Sequence, residues 1–107
     1  MQKDVVFSED GGRLTARILC DVDHHTAKPM REKIDRRLFE IKPNILILDF
    51  SSVDFMDSSG LGLILGRVEK ATALNAEVVL TGAYPRIMKL ISLSGIERVR
   101  HLSVVKP

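Results

Sequence analysis

The segment Phe55-Met56-Asp57-Ser58-Ser59-Gly60-Leu61-Gly62 constrains this chain more than any other. It follows the unbroken apolar run Ile45-Leu46-Ile47-Leu48 and precedes a pattern with helical spacing. A continuous apolar run is what a strand buried on both faces requires. Hydroxyls and a carboxylate are what a helix start requires, because its first amides lack intrahelical partners. A strand must therefore hand over to a helix here, and no basic residue falls between Ile45 and Gly66.

The remaining chain extends that alternation. Val5-Val6-Phe7, within Asp4 to Glu9, reads as a first strand, and Gly11-Gly12 is a hairpin turn. Arg13 to Val22 reads as a second strand with Leu14, Ala16, Ile18 and Cys20 on one side. A helix follows, capped at Thr26 or a neighbour, with Thr26 favoured because Pro29 then falls in the first turn. A cap at Asp23 would place Pro29 deeper, where a kink is expected. Ala27, Met30, Ile34, Leu38 and Ile41 form its apolar stripe, and Pro43-Asn44 ends it.

A second helix is predicted from about Ser58 to Leu74, with Leu61, Ile64, Leu65 and Val68 apolar and Asn75 as its stop. Glu77 to Thr81 is a strand, and after Gly82 a third helix starts near Pro85, with Ile87, Leu90 and Ile91 inward. Gly95 caps it, with Ile96 placed for the accompanying apolar contact. Arg98 to Val105 reads as the last strand. The order β-β-α-β-α-β-α-β implies an α/β fold: a small mixed sheet of about five strands, right-handed crossovers, and helices mainly on one face.

The 107 residues suit one compact domain, with 45% hydrophobic content and few aromatics for an aliphatic core. A net charge of +2 gives no bulk case for nucleic acid. Lys28 to Lys42 and Tyr84 to Pro107 carry the basic excess, and both read as solvated helix faces. Asp49, Asp54 and Asp57 make an acidic pole at the central segment. The lone Cys20 excludes an internal disulfide framework, reads as a structural thiol, and fits a reducing cytoplasm. No apolar run is long enough to span a membrane, and Met1 to Asp10 has no secretory pattern.

Asp57 or Ser58 is a good helix cap, yet Gly60, Gly62 and Gly66 each weaken a helix by about 1 kcal/mol relative to Ala. Such a cluster points to close approach by another backbone, internal or from a partner. A helix start also stabilises an anion. A phosphate on Ser58 adds a charge of about −1.5 to −2 without melting the helix. Facing an acidic or apolar partner surface, one such charge at ~4 Å is worth about 4 kcal/mol, roughly a thousandfold in affinity.

Competing chemistries fit less well. Gly60-Leu61-Gly62-Leu63-Ile64-Leu65-Gly66 is one residue too long for a dinucleotide fingerprint and does not follow the first strand. No Walker sequence is present, and Asp57-Ser58-Ser59-Gly60 is not a nucleophile elbow. His24 and His25 are adjacent, which suits neither a metal pair nor a base positioned on Ser58. No cofactor or metal is expected.

Two segments, Asp23-His24-His25-Thr26-Ala27 and Phe55 to Gly62, together resemble the STAS domains of bacterial anti-sigma factor antagonists, closest to the sporulation sigma-F type. Ile64-Leu65-Gly66-Arg67 and Ser94-Gly95-Ile96 also fit, so the resemblance spans nearly the whole chain as a single STAS domain, residues 1–107. It implies that Ser58 is the phosphoacceptor of an ATP-dependent anti-sigma factor serine kinase. It implies that the unphosphorylated form binds that kinase and frees the sigma factor, and that a PP2C-type phosphatase reverses the mark. It places Asp23, His24, Thr26, Met56, Asp57, Ser59, Gly60, Leu61 and Gly62 at the partner contact. No enzymatic activity, nucleic acid or membrane is expected. Cys20-Asp21-Val22-Asp23 departs from the family's G-[DE]-x-D pattern, and Val104 to Pro107 is too short for the usual final helix. Truncation or a weak homodimer over the exposed apolar face would account for that shortness. Two alternatives stand beside this reading: a STAS domain of another signalling or transporter-associated complex, and a nucleotide-binding protein using the glycine-rich helix start.

Overall fold

Gly11 and Gly12 both take positive φ, 55° and 80°, the left-handed pair that a two-residue hairpin turn needs. They join β1 (Val5–Asp10) and β2 (Arg13–Ile18) as an antiparallel pair. This is a computed structural model describing residues 3–106; Met1 and Gln2 of the N-terminal segment, and Pro107 of the C-terminal one, lie outside them. From β2 onward every link is strand–helix–strand and every pair is parallel. β2 pairs β3 (Ile45–Asp49), β3 pairs β4 (Glu77–Thr81), and β4 pairs β5 (Leu102–Val104). The sheet order β1-β2-β3-β4-β5 is therefore the chain order.

Right-handed crossovers that advance in one direction put α1 (His24–Ile41), α2 (Ser58–Ala73) and α3 (Pro85–Ser94) on the same face of the sheet. Burial shows which face that is. Leu14, Ala16, Ile18, Leu46, Leu48, Val78 and Leu80 are buried, whereas the intervening Thr15, Ile45, Ile47 and Val79 are only half-buried. The apolar run in β3 is thus covered on one face, not two. Ile and Val still suit the open face, because β-branched side chains pack along a half-buried pleated surface.

Element ends differ from the sequence reading at several points, each for a local reason. β2 stops at Ile18, after which the Leu19 amide donates to the Asp4 carbonyl at 2.9 Å and the chain leaves the sheet. Cys20 lies beyond the strand, half-buried, its thiol pKa pushed up by burial and then by Asp4, Asp21 and Asp23. β5 is only Leu102–Val104, because Ile96–Arg98 form a 3₁₀ turn after Gly95, whose φ is 78°. In α2 the buried face is Gly60, Leu63, Ile64, Arg67, Val68 and Ala71, while Leu61 is half-buried and Leu65 exposed. In α3, Ile87 and Ile91 are buried and Leu90 is half-buried.

The cap of α1 is Asp23, not Thr26. The Asp23 carboxylate accepts from the His25 and Thr26 amides at 2.8 and 3.0 Å, and the Thr26 hydroxyl accepts from the Asp23 amide at 3.0 Å. This reciprocal box satisfies donors at both ends of the first turn. Pro29 consequently lies inside the helix. The carbonyl it leaves unpaired belongs to His25, and both residues are exposed, so water can take the place of the missing amide.

Arg67 is the one buried charged residue among those described, at 2% exposure. Its Nε lies 2.8 Å from Asp35 Oδ1 on α1. At that separation the opposite charges pair directly across the two helices. Burial pushes the Arg67 pKa down, and Asp35 opposes that push.

Pro29→Ala supplies the absent amide at an exposed helical position. It is expected to raise unfolding free energy by up to about 3 kcal/mol, measured by urea denaturation, with an unchanged far-UV spectrum. A destabilised variant would show that Pro29 is fitted to this helix.

Candidate functional site

Beyond the ends of β2 and β3 the chain makes one more pairing, a parallel bridge between Val22 and Met56. The Val22 amide donates to the Phe55 carbonyl at 3.1 Å, and the Asp57 amide donates to the Val22 carbonyl at 3.2 Å. The Asp21 carboxylate accepts from the Phe55 amide at 3.1 Å. Val22 and Met56 are both buried, so the bridge is anchored in the core. The residue after each bridge partner is a helix cap: Asp23 for α1 and Asp57 for α2. The two helix starts are thereby stitched side by side.

At α2 the Asp57 carboxylate accepts from the Ser59 amide at 2.7 Å. Asp57, not Ser58, is the cap. Ser58 is the first residue of the helix and is exposed, and among the described residues no hydrogen bond uses its hydroxyl. Ser59 is half-buried.

The three glycines have different reasons. A Cβ at Gly60 would overlap the buried Met56 side chain, so this glycine is explained by internal packing. A Cβ at Gly62 or Gly66 would meet nothing within 4 Å. Of those two, Gly62 is exposed and Gly66 is half-buried.

Gly62 opens onto a cleft of about 400 Å³ between α1 and α2. Its walls are His24, Ala27, Lys28 and Arg31 from α1, with Ser59, Gly62 and Leu63 from α2. The structure therefore brings His24, Ser59 and Gly62 together beside Ser58. Asp23, Thr26 and Asp57 are engaged in the caps, while Met56 and Gly60 are buried beneath them. Leu61 faces a second, apolar groove of about 180 Å³ shared with Leu65, Ile96 and Val99.

Charge alone does not distinguish Lys28 and Arg31 from a solvated face. Their positions carried a signal: His24, Lys28 and Arg31 recur at steps of four and three, on the side of α1 that carries Ala27. The surroundings of Ser58 are accordingly mixed in sign. Acids come from its own segment, and bases come from a helix distant in sequence.

Among the described residues there is no group of three or more His, Cys, Asp or Glu side chains fit to hold a metal ion. No described helix is long and apolar enough to cross a membrane.

An open-faced α/β sheet thus carries two helix starts stitched side by side. The chain belongs to the STAS domain family, whose model matches residues 5–104. It is 32% identical to the anti-sigma F factor antagonist of Lysinibacillus sphaericus over 75% of this chain and 68% of the relative. It is 28% identical to that of Paenibacillus polymyxa over 92% and 85%. The solved structure of the anti-sigma factor antagonist SpoIIAA in its unphosphorylated form superimposes with a TM-score of 0.78 at 26% identity, covering 95% of this chain and 88% of the other. The same protein from Bacillus in its phosphorylated form gives 0.70 at 26% identity, covering 95% and 91%. The five-strand mixed sheet with three helices matches that fold.

The glycines make a direct test of these assignments. Gly62→Ala and Gly66→Ala should each stabilise the chain by about 1 kcal/mol in urea unfolding, since only helix propensity changes. Gly60→Ala should destabilise it by about 1–3 kcal/mol through the clash with Met56. Equal effects at all three positions would contradict the packing.

Asp23 supplies a pH signature. The hydrogen bond from the Thr26 backbone, opposed by burial and reinforced by those from the His25 backbone and the Thr26 side chain, holds its carboxyl below the ordinary range. Its contribution is in place above the unfolded-state value of about 3.9 and is lost as pH falls through the lower folded value. Asp23→Asn should therefore lose less melting temperature than the wild type on acidification from about pH 5 to pH 3. Parallel losses would remove Asp23 from the acid transition.

Proposed function

We propose that this chain is an anti-sigma factor antagonist, a binding module with no catalysis of its own. Its unphosphorylated form binds an anti-sigma factor serine kinase and releases the sigma factor, and phosphorylation of Ser58 switches binding off. The observation that carries this reading is the state of the Ser58 hydroxyl. It is exposed at the first position of α2, and it is spared from capping because Asp57 already holds the Ser59 amide. Modification there breaks no native hydrogen bond.

The helix start tolerates the added phosphate by about 0.3–1 kcal/mol. The neighbouring carboxylates oppose it. The domain itself changes little, and the effect falls on whatever docks against the helix start. Family membership and the antagonist names of the relatives support the circuit. A PP2C-type phosphatase completes it by restoring the free hydroxyl, and the system operates in the cytoplasm. Asp23, His24, Asp57, Ser59, Leu61 and Gly62 frame the contact. Met56, Gly60 and Thr26 support it from beneath.

Incubation with the anti-sigma factor kinase of the same organism and ATP should place one phosphate on the wild type and on Ser59→Ala, and none on Ser58→Ala. Intact-mass spectrometry reads all three. In a pull-down with that kinase, Ser58→Asp should bind on the order of a thousandfold more weakly than the wild type. A phosphate found on Ser59 alone would sink the assignment.

A further inference from the structure

We propose that the cleft between α1 and α2 is the seat for an acidic side chain, Asp or Glu, of the partner protein. This rests on the reading of the chain as a kinase-binding antagonist and adds the chemistry by which the partner is recognised. Lys28 and Arg31 line the cleft together with His24, and no carboxylate is in its wall. Among the described residues neither Lys28 nor Arg31 forms an ion pair, although Lys33 and Arg37 on the same helix do. Two cations face one opening without compensation, where a docking carboxylate makes charge-assisted hydrogen bonds.

The positive charge extends inward. Arg67 shares only Asp35, and its buried Nη1 has no hydrogen-bond partner. The charge of Arg31 is felt at Arg67, adding to the effect of burial and opposing Asp35. An anion entering the cleft relieves that repulsion. The volume of about 400 Å³ accommodates a side chain, and Gly62 leaves the entrance unobstructed. Ser58 and Ser59 sit at the same helix start, so a partner seated in the cleft is held against the residue it modifies.

The test measures affinity for the anti-sigma factor kinase, with ADP bound, by calorimetry at two salt concentrations. Lys28→Glu and Arg31→Glu should each weaken binding at least about tenfold and flatten its salt dependence. Arg36→Glu is the charge-matched control: Arg36 is exposed on α1 outside the cleft, and its reversal should change affinity less than about threefold. Should a reversal variant melt below the wild type, Lys28→Gln and Arg31→Gln carry the test through the same loss of salt dependence. If the wild type binds and the cleft variants behave like Arg36→Glu, the acidic seat is overturned and the antagonist reading stands. If the wild type does not bind, both fall.

Discussion

The parallel bridge between Val22 and Met56 is the contact on which the display of the site depends. The sheet proper has ended by then, at Ile18 in β2 and Asp49 in β3. Without a further tie, the two loops leading to α1 and α2 would be free to separate. Three backbone-directed hydrogen bonds between residues 21–22 and 55–57 prevent that, and the buried Val22 and Met56 side chains anchor them. Asp23 and Asp57 follow immediately, so the bridge fixes both caps relative to each other.

A division of labour follows at each helix start. Carboxylates satisfy the free amides, which leaves the first-position serine of α2 without a structural task. Under the proposed phosphorylation of Ser58, the modified residue lies next to the cap rather than at it, which separates the switch from the stability of the helix. The electrostatics are likewise divided between two sources. The segment around Ser58 supplies acid, whereas α1 supplies base across the cleft. The pair Arg67–Asp35 spans the same two helices from inside and ties their separation to the core.

Much of the fold was legible in the sequence because its signals are local. The Gly11-Gly12 turn, Pro85 at the start of α3 and Gly95 at its end each rest on backbone chemistry that needs no tertiary context. The alternation of strands and helices then leaves few topologies. What was not legible depended on the environment. An apolar run such as Ile45 to Leu48 reads the same whether one or both faces are covered. Pro29 argued against a cap at Asp23 because a proline inside a helix loses a hydrogen bond and kinks it, and the helix carries that cost where both Pro29 and His25 are exposed. At the site, Ser58 and its neighbours were legible as a helix start. The cleft was not, because Lys28 and Arg31 meet Ser59 and Gly62 only when α1 packs on α2.

The identity of sheet order and chain order bears on synthesis. A chain emerging from the ribosome with its N-terminus first always adds a strand beside one that already exists. No early strand waits for a late partner, and each pairing beyond the hairpin closes a loop of a single crossover. The bridge and both carboxylate caps lie within the first 59 residues, ahead of β4 and β5 in the chain. The later strands add cover for one edge of the sheet and the buried Val78, Leu80 and Leu102 of the core. An exposed edge is where a growing chain pairs wrongly with its neighbours, and the period in which β3 lacks its second partner is the nascent chain's window of vulnerability.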